Sequence, residues 1–469
     1  MLDGAKTNLA SPQLKKSIGL VQATIYGVGI ILGAGIYALI GEAVAIAGNS
    51  VWIAFVVSAL IAACSALSYA ELSASFPKSA AEFVYVKHGS GSNLLAFIIG
   101  YTTVVTGVIS VSAVALGFST YFKLYLDVNP VLIANVVIVL AALLNFKGIE
   151  ESARVNTVFT LVETFGLLFV IAIGLPFIGE VDIWTNLHGD VPTGSDFWHP
   201  IFAASALIFF AYLGFEDVAN IAEETKDATR TVPLALLLSL LITTVIYVLI
   251  AIVAVSVVSA EQLAASAHLG NPGEGPLALV VSTALDNPIG GLLFTVVALF
   301  ATANTVLVLM IVSSRMLFGM AREKTLPAAL AKIHPRNQTP QYAILTVALL
   351  SVFFTSLGSL GDVANLTNVG IFLVFFAVNM SLILLRFKQR HVIRPARSWA
   401  SKLALNIGWF PVLPTLGALF CLGMLLTQFN MPIRWLGLEW SMLVLALALF
   451  LTSVPIYFLY KNHAHFERL

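Results

Sequence analysis

The sequence predicts an all-α polytopic membrane protein with twelve transmembrane helices, and three observations support this fold class. Of the 469 residues, 59% are apolar and only 10% are Asp, Glu, Lys or Arg, whereas soluble domains average about 45–50% and about 25%. Long apolar segments recur along the whole chain, and the basic residues fall almost entirely between alternate segments. A soluble protein of this composition would lack the polar groups to cover its surface.

The composition also excludes several function classes. Basic and acidic residues both number 24, so the basic excess of a nucleic-acid-binding protein is missing and we expect no nucleic-acid partner. Two cysteines exclude a disulfide scaffold or a multi-cysteine metal site. All eight histidines lie in loops, tails or span edges, and no Walker A pattern is present. Since no nucleophile–base pair occurs either, we expect no enzyme activity, no cofactor and no bound metal.

Twelve segments have the length that a spanning helix needs, about 20 mostly apolar residues. Their pattern differs from the ten-residue alternation of barrel strands, and the first is too long for a cleavable signal peptide. They lie near 20–45, 51–76, 93–122, 131–146, 155–178, 200–224, 232–258, 289–320, 341–357, 363–386, 407–427 and 437–460.

The distribution of basic residues tests this topology independently. If the N-terminus is cytoplasmic, 22 of the 24 Lys and Arg residues lie inside and only Lys123 and Arg434 lie outside. The positive-inside rule requires such an asymmetry, and one missed or extra span would destroy it. We therefore predict a multi-pass protein of the cell (plasma or inner) membrane with both termini cytoplasmic.

This topology divides the chain into seven parts. They are a cytoplasmic tail at 1–19, a first group of five spans at 20–178, an extracellular loop at 179–199, a second group of five spans at 200–386, a cytoplasmic loop at 387–406, spans eleven and twelve at 407–460 and a cytoplasmic tail at 461–469.

Two spans carry signs of an interruption. The first is rich in glycine, which weakens a helix by about 1 kcal/mol relative to alanine, so we predict a break at Gly33-Ala34-Gly35. Close packing of neighbouring helices against Gly29 and Gly33 is the alternative explanation. The sixth span carries Glu216 and Asp217 two residues after Gly214. Adjacent carboxylates are costly in an unbroken helix that faces lipid, so we predict an opened backbone there.

The two predicted breaks occupy corresponding places in antiparallel spans. Each lies about 14 residues into its span, hence about 20 Å from the start, near the membrane midplane. Paired interrupted helices of this kind are typical of transporters built from inverted repeats. The sequence therefore predicts a five-plus-five inverted repeat of the LeuT type, with helices 1 and 6 interrupted and two helices added.

Such breaks offer complementary binding groups. The half-helix that begins near Gly35 presents free backbone N–H groups and a positive dipole end, which suit a carboxylate. The half-helix that ends near Ala211 presents free carbonyls, which suit an ammonium group. One pair of broken helices can thus hold both ends of an α-amino acid.

At these residues the chain resembles the permeases of the amino acid–polyamine–organocation (APC) superfamily, with the bacterial amino-acid permeases and the cationic amino acid transporter group most similar. The four matching stretches extend over about two-thirds of the chain. They are GVGIILGAGIYALIG at 27–41, SYAELSASFPKSAAEFVYV at 68–86, FFAYLGFEDVANIAEETKDATRTVP at 209–233 and SSRMLFGMAREKTLP at 313–327.

The resemblance implies a substrate site built on the two breaks. Backbone amides would bind the substrate carboxylate and backbone carbonyls its ammonium group, and both break glycines belong to the site. The amides are those of Ala34, Gly35 and Ile36, the carbonyls are those of Phe209, Ala211 and Tyr212, and the glycines are Gly33 and Gly214. Phe210 lies where family members carry an aromatic gate over the substrate.

The resemblance also implies coupling and gating residues. Glu216 aligns with a glutamate implicated in proton-sensitive gating in some members. Glu163 stands where many members carry a lysine in span five, so the lysine-based coupling mechanism is in doubt here. An ionisable residue within the membrane is a functional hypothesis by default, and a structural hydrogen bond is the alternative for Glu163. Thr302 and Asn304 lie where hydroxyls of the family line a cation site, or they form polar contacts between helices.

These observations lead to one expectation and its rivals. We expect a secondary amino-acid permease that works by alternating access, with proton symport or amino-acid exchange, and whose partners are the amino acid, the proton or counter-transported amino acid, and the lipid bilayer. Carboxylates without a mid-membrane Lys or Arg disfavour dicarboxylate substrates and favour zwitterionic or cationic ones. A polyamine or organic-amine permease is the close alternative. A channel or a non-transporting sensor is the alternative from a different class.

Overall fold

The computed structural model of the protein describes residues 14–123, 125–186, 194–266, 275–355, 360–389, 402, 405–408, 410–428, 432–435, 438–441 and 451–458. Most of the predicted N-terminal tail (1–19), most of the loop at 387–406 and the whole C-terminal tail (461–469) lie outside these residues.

Helices make up nearly all of the described chain. They are α1 (Leu20–Leu32), α2 (Ala34–Ala47), α3 (Val51–Ser75), α4 (Ala81–Ser90), α5 (Asn93–Phe122), α6 (Pro130–Lys147), α7 (Ile149–Gly174), α8 (Ser195–Ile208), α9 (Ala228–Val257), α10 (Ala260–Ser266), α11 (Pro276–Ala284), α12 (Pro288–Arg322), α13 (Gln341–Phe354), α14 (Leu360–Gln389) and α15 (Val412–Gln428). Two short antiparallel pairs accompany them: β1 (Asn406–Ile407) with β2 (Phe410–Pro411), and β3 (Pro432–Trp435) with β4 (Leu438–Ser441).

Nine helical stretches within the described residues are long and apolar enough to cross a membrane. They are Leu20–Tyr37, Leu39–Ser75, Asn93–Ser119, Pro130–Lys147, Ile149–Phe177, Ser195–Glu224, Ala228–Val257, Pro288–Arg322 and Val369–Lys388. At the positions of predicted spans nine and eleven lie the shorter apolar helices Gln341–Phe354 and Val412–Leu426. Of predicted span twelve, residues 438–441 form β4, residues 451–458 are helical and the rest lie outside the described part. The predicted class of α-helical polytopic membrane protein is confirmed.

Capping side chains account for the starts of two spanning helices. Asn129 and Asn287 each precede a helix, and the side-chain oxygen of each accepts a hydrogen bond of 2.9 Å from the backbone N–H two residues on. Pro130 and Pro288 follow at the first helical position. A proline there lacks only a donor that the helix would leave unpaired anyway.

The longest helix, α12, passes through the bundle and packs against α1, α5, α6, α7 and α13, while α9 packs against α1 and α3. The first span is therefore surrounded by other helices rather than by lipid. By contrast, α6 turns an apolar face outward at Val136, Val139, Leu140 and Leu143.

A fully buried ion pair joins α12 to Glu224, at the end of the sixth predicted span. Arg315 donates from Nη2 to Glu224 Oε1 at 2.9 Å and from Nε to Oε2 at 3.2 Å, and neither side chain is exposed. Its Nη1 donates to Asn145 Oδ1 on α6 at 2.7 Å and to Ser314 Oγ at 3.1 Å. These bonds satisfy the buried guanidinium on several sides, as a charge away from water requires.

Main-chain hydrogen bonds join the residues just before α1 to the residues just before α9. The N–H groups of Ser17 and Ile18 both donate to Glu224 O, at 3.0 and 3.1 Å, and Lys226 N–H donates to Ile18 O at 2.8 Å. Five further ion pairs link different elements, and a sixth, Arg154–Glu150, lies within α7. The five are Arg322–Glu223, Lys87–Glu323, Lys78–Glu323, Arg386–Glu71 and Lys15–Glu150.

Glu224→Gln tests the buried ion pair. We expect a clear loss of stability, because breaking a buried pair leaves an uncompensated charge at a cost of about 3–5 kcal/mol. The apparent melting temperature of the detergent-purified protein measures the loss. Glu150→Gln is the matched control, since it breaks exposed pairs and should change the melting temperature little. Equal melting temperatures for the two variants would contradict a stabilising role of the buried pair.

Candidate functional site

Helix 1 is interrupted at Gly33, where α1 ends and α2 begins. Gly33 has φ −27° and ψ −154°, far from helical values. The first N–H groups of a helix have no partner within it, so the amides of Ala34, Gly35 and Ile36 direct the positive end of the α2 dipole into the break. The interruption predicted at these residues is present.

Helix 6 consists of α8 and the two 3₁₀ segments that follow it, and the interruption lies between these two segments. Residues Phe209–Tyr212 form a single 3₁₀ turn and Leu213 is extended. Gly214 has φ +115°, a left-handed conformation that side chains disfavour and glycine adopts freely. The chain then continues as a 3₁₀ helix over Phe215–Glu224. The interruption predicted beside Gly214 is present, and the second half of helix 6 is 3₁₀ rather than α.

The two interruptions touch each other. A Cβ atom at Gly35 would lie 2.8 Å from Ala211 Cα and 3.0 Å from Ala211 Cβ, closer than a side chain can pack. A Cβ atom at Gly33 would lie 2.3 Å from Thr305 Oγ1 on α12. The predicted carboxylate-binding and ammonium-binding backbones are therefore contiguous, and α12 supports the first of them.

Tyr247 on α9 links the two interruptions, although the sequence analysis did not single it out. Its hydroxyl lies 2.5 Å from Ile31 O and 3.2 Å from Ala211 O, so its single proton can be donated to a carbonyl released by either break. The side chain is fully buried. The sequence signal is weak, because a single tyrosine in an apolar span is ordinary.

Aromatic rings cover one side of the helix 6 turn. The ring of Phe209 is fully buried and its centroid lies 5.3 Å from Phe372, 5.8 Å from Phe420 and 6.2 Å from Phe375. The ring of Phe210 is only half-buried. The structure therefore places Phe209 in the packed interior and leaves Phe210 as the less covered ring of the pair.

The adjacent carboxylates of helix 6 lie inside the bundle. Glu216 and Asp217 are 7% and 8% exposed. Glu216 Oε2 accepts a hydrogen bond of 2.9 Å from Gly214 N–H, so this side chain satisfies an amide that the interruption releases. Glu216 therefore has a structural role, and its role in gating stays a prediction.

Glu163 on α7 is fully buried. Within the described residues, neither of its carboxylate oxygens has a hydrogen-bond partner. Thr160, one turn before it on α7, packs against Gly29 of helix 1, so Glu163 lies one turn from the contact between α7 and the interrupted helix. Buried polar groups are normally paired, and an unpaired carboxylate therefore needs an explanation.

A polar network one turn from Glu163 ties three helices together. Asn304 Nδ2 donates to Thr160 Oγ1 at 3.0 Å and to Gly29 O at 3.4 Å. Asn156 Nδ2 donates to Asn304 Oδ1 at 2.8 Å. The hydroxyl of Thr302 instead donates to Ala298 O of its own helix at 2.9 Å. Asn304 thus contacts helix 1 directly, and Thr305 rather than Thr302 lies against its interruption.

Glu82 is a buried carboxylate that sequence reasoning missed. It lies on α4, outside the spanning stretches, and is 1% exposed. Asn220 of helix 6 donates to its Oε2 at 3.1 Å and accepts from Ala81 N–H at 2.9 Å. Burial raises the pKa of Glu82 to about 7, although hydrogen bonds to the carboxylate lower it. In the sequence, Glu82 lies five residues after Pro77 in the predicted loop that follows span two. It is buried only because α4 packs against the bundle.

Two interrupted helices that meet within an apolar bundle define a membrane transporter rather than an enzyme. The family model for amino acid permeases matches residues 18–454. The chain is 31% identical over 470 residues to the branched-chain amino acid permease BcaP of Bacillus subtilis (strain 168), covering 96% of this chain and 94% of that protein.

Two further relatives have names that specify other substrates. The methylthioribose transporter of the same strain is 28% identical, over 96% of this chain and 95% of its own. The vacuolar cationic amino acid transporter 4 of Arabidopsis thaliana is 29% identical, over 80% of this chain and 64% of its own. The chain belongs to the amino acid permease family of the APC superfamily.

Gly35→Ala tests the contact between the two interruptions. We expect the apparent affinity for substrate to fall at least about tenfold, equivalent to about 1.4 kcal/mol, because the new methyl group displaces Ala211. Radioligand binding to purified protein measures the change. Gly423→Ala on α15 is the control, since a Cβ atom there meets nothing within 4 Å. Wild-type affinity in a folded Gly35→Ala protein would show that the contact is unimportant for binding.

Proposed function

We propose that this permease moves a zwitterionic or cationic α-amino acid by alternating access, coupled to proton symport or to amino-acid exchange. The observation that carries the proposal is the direct contact between the amide-bearing break at Gly35 and the carbonyl-bearing turn at Ala211. Each break supplies the backbone groups that one end of an α-amino acid needs.

The substrate is held by main-chain groups. Amides of Ala34, Gly35 and Ile36 bind its carboxylate, and carbonyls of the turn Phe209–Tyr212 bind its ammonium group. The Tyr247 hydroxyl within 3.2 Å of Ala211 O supports this, because an ammonium group donates to a carbonyl in the same way. Phe210 closes over the bound substrate.

Charge in the bundle sets the substrate class. Glu163, Glu216 and Asp217 are buried, whereas the buried cation Arg315 is already paired with Glu224. A second carboxylate on the substrate would meet no free cation among these groups, which disfavours dicarboxylates. The relatives whose names specify branched-chain and cationic amino acids agree with this class.

Glu163 is the coupling residue in this proposal. It is buried and unpaired among the described residues, and it lies one turn from Thr160, which packs against Gly29 of helix 1. Asn304 links α12 to helix 1 beside it. Gain or loss of a proton at Glu163 would therefore act on helix 1, the element that binds the substrate carboxylate. Thr302, two residues before Asn304 on α12, is assigned to the same region, and Glu216 to gating.

The membrane topology is part of the same proposal. Twelve spans in a five-plus-five inverted repeat place both termini in the cytoplasm of a cell-membrane protein. The nine spanning stretches, two interrupted helices and the basic residues around the N-terminal end of the bundle support it.

Uptake by purified protein in liposomes tests the proposed function. We expect saturable uptake of a zwitterionic or cationic amino acid, stimulated by a proton gradient or by internal amino acid. A ligand panel of amino acids and polyamines in a thermal-shift assay chooses the substrate for the experiment. Stabilisation by polyamines alone would favour the amine permease, and linear flux would favour a channel. Uptake that only sodium drives would overturn the assignment of protons.

Glu163→Gln tests coupling separately. We expect the variant to lose stimulation by the proton gradient down to the level without a gradient, while exchange of internal for external substrate continues. Glu42→Gln replaces an exposed carboxylate of α2 and should retain both activities. If Glu163→Gln keeps full stimulation, Glu163 carries no proton in the transport cycle.

A further inference from the structure

A crevice of about 340 Å³ lies between four spanning helices, and none of its lining residues belongs to either interruption. It is bounded by α5, α6, α7 and α12, and every residue that lines it is apolar. The lining residues are Phe118, Phe122, Val137, Leu140, Ala141, Leu144, Val155, Phe159, Leu299, Phe300, Ala303 and Leu307.

The crevice opens on a surface that the bilayer covers. Leu140 at its rim is 60% exposed, and the neighbouring Val136, Val139 and Leu143 of α6 are also exposed. All four lie within the spanning stretch Pro130–Lys147. The crevice is therefore continuous with an apolar face in contact with lipid tails rather than with water.

Its size and chemistry specify the occupant. An apolar cavity of about 150 Å³ stays dry and accommodates benzene, so about 340 Å³ accommodates a hydrocarbon of roughly a dozen carbons. From Leu299 to Leu307 the lining extends about 12 Å along α12, at 1.5 Å per residue. An empty space of this size would forfeit dispersion contacts along all four helices.

We propose that this crevice is a binding site for one acyl chain of a membrane phospholipid. The chain enters past Leu140 from the bilayer and lies along α12 against Phe300 and Ala303. The lining offers no charged or polar side chain, so the head group remains at the membrane surface and contributes little to selectivity. Such a chain differs from the surrounding lipid because four helices enclose it.

The position of the site connects it to the interruption of helix 1. Ala303 lines the crevice, whereas its neighbour Asn304 donates to Gly29 O and Thr305 lies against Gly33. Phe159 and Thr160 divide α7 in the same way between the crevice and the polar network. A bound chain therefore packs against α7 and α12 beside Thr160, Asn304 and Thr305, which are the residues of these helices that contact helix 1.

Photocrosslinking with a phospholipid that carries a photoactivatable group midway along one acyl chain tests the proposal. The full-length protein is reconstituted with the probe, irradiated, extracted in detergent and mapped by peptide mass spectrometry. We expect adducts concentrated on the lining residues of α6 and α12. Ala141→Phe and Ala303→Phe each place a ring in the crevice and should reduce these adducts at least fivefold.

Ala172→Phe is the control, because Ala172 is exposed on α7 within a spanning stretch and outside the crevice. It should leave the adducts unchanged. Two filling variants on different helices guard against misfolding of one of them, and a monodisperse size-exclusion profile is required of each. Adducts spread evenly over the exposed faces, or equal yields in all variants, would overturn the proposal.

Discussion

Backbone groups that leave a helix within a membrane must find partners inside the protein, and this requirement organises the whole bundle. The interruptions at Gly33 and Gly214 release amides and carbonyls in the middle of two spanning helices. They are tolerated because they face each other and are enclosed by α9 and α12. The Tyr247 hydroxyl lies within hydrogen-bond distance of two released carbonyls, and the Glu216 carboxylate accepts a hydrogen bond from one released amide.

The charged residues divide according to the same logic. Most of the ion pairs among the described residues join different elements, and a main-chain bridge at Ile18 and Thr225 joins the start of helix 1 to the end of helix 6. Within the bundle Arg315 is matched by Glu224, whereas Glu163 is left unpaired in the part of the chain that the structure describes. The buried cation is thus matched by a carboxylate, whereas Glu163 is one of several buried carboxylates that have no ion-pair partner among the described residues.

The two helix interruptions could be predicted from the sequence because their signals are local. Glycine at Gly33 and Gly35, and two carboxylates beside Gly214, mark the interruptions whatever surrounds them. The intramembrane position of Glu163 likewise follows from its apolar flanks. Tyr247 and Glu82 were missed, because their roles come from residues more than a hundred positions away and no local pattern announces a tyrosine or a loop glutamate as a buried partner.

The sequence by itself determined that the chain is a membrane bundle, where most spans lie, and where helices 1 and 6 open. These properties depend on apolar length, charge distribution and backbone propensity, which are read within a window of about 20 residues. Tertiary structure alone decided that Gly35 contacts Ala211 and that Asn304 rather than Thr302 forms a hydrogen bond with helix 1. It also decided that an apolar crevice remains between α5, α6, α7 and α12. The physical reason is that such contacts depend on the rotation and close approach of whole helices, which small residues and interhelical hydrogen bonds set only once the bundle has packed.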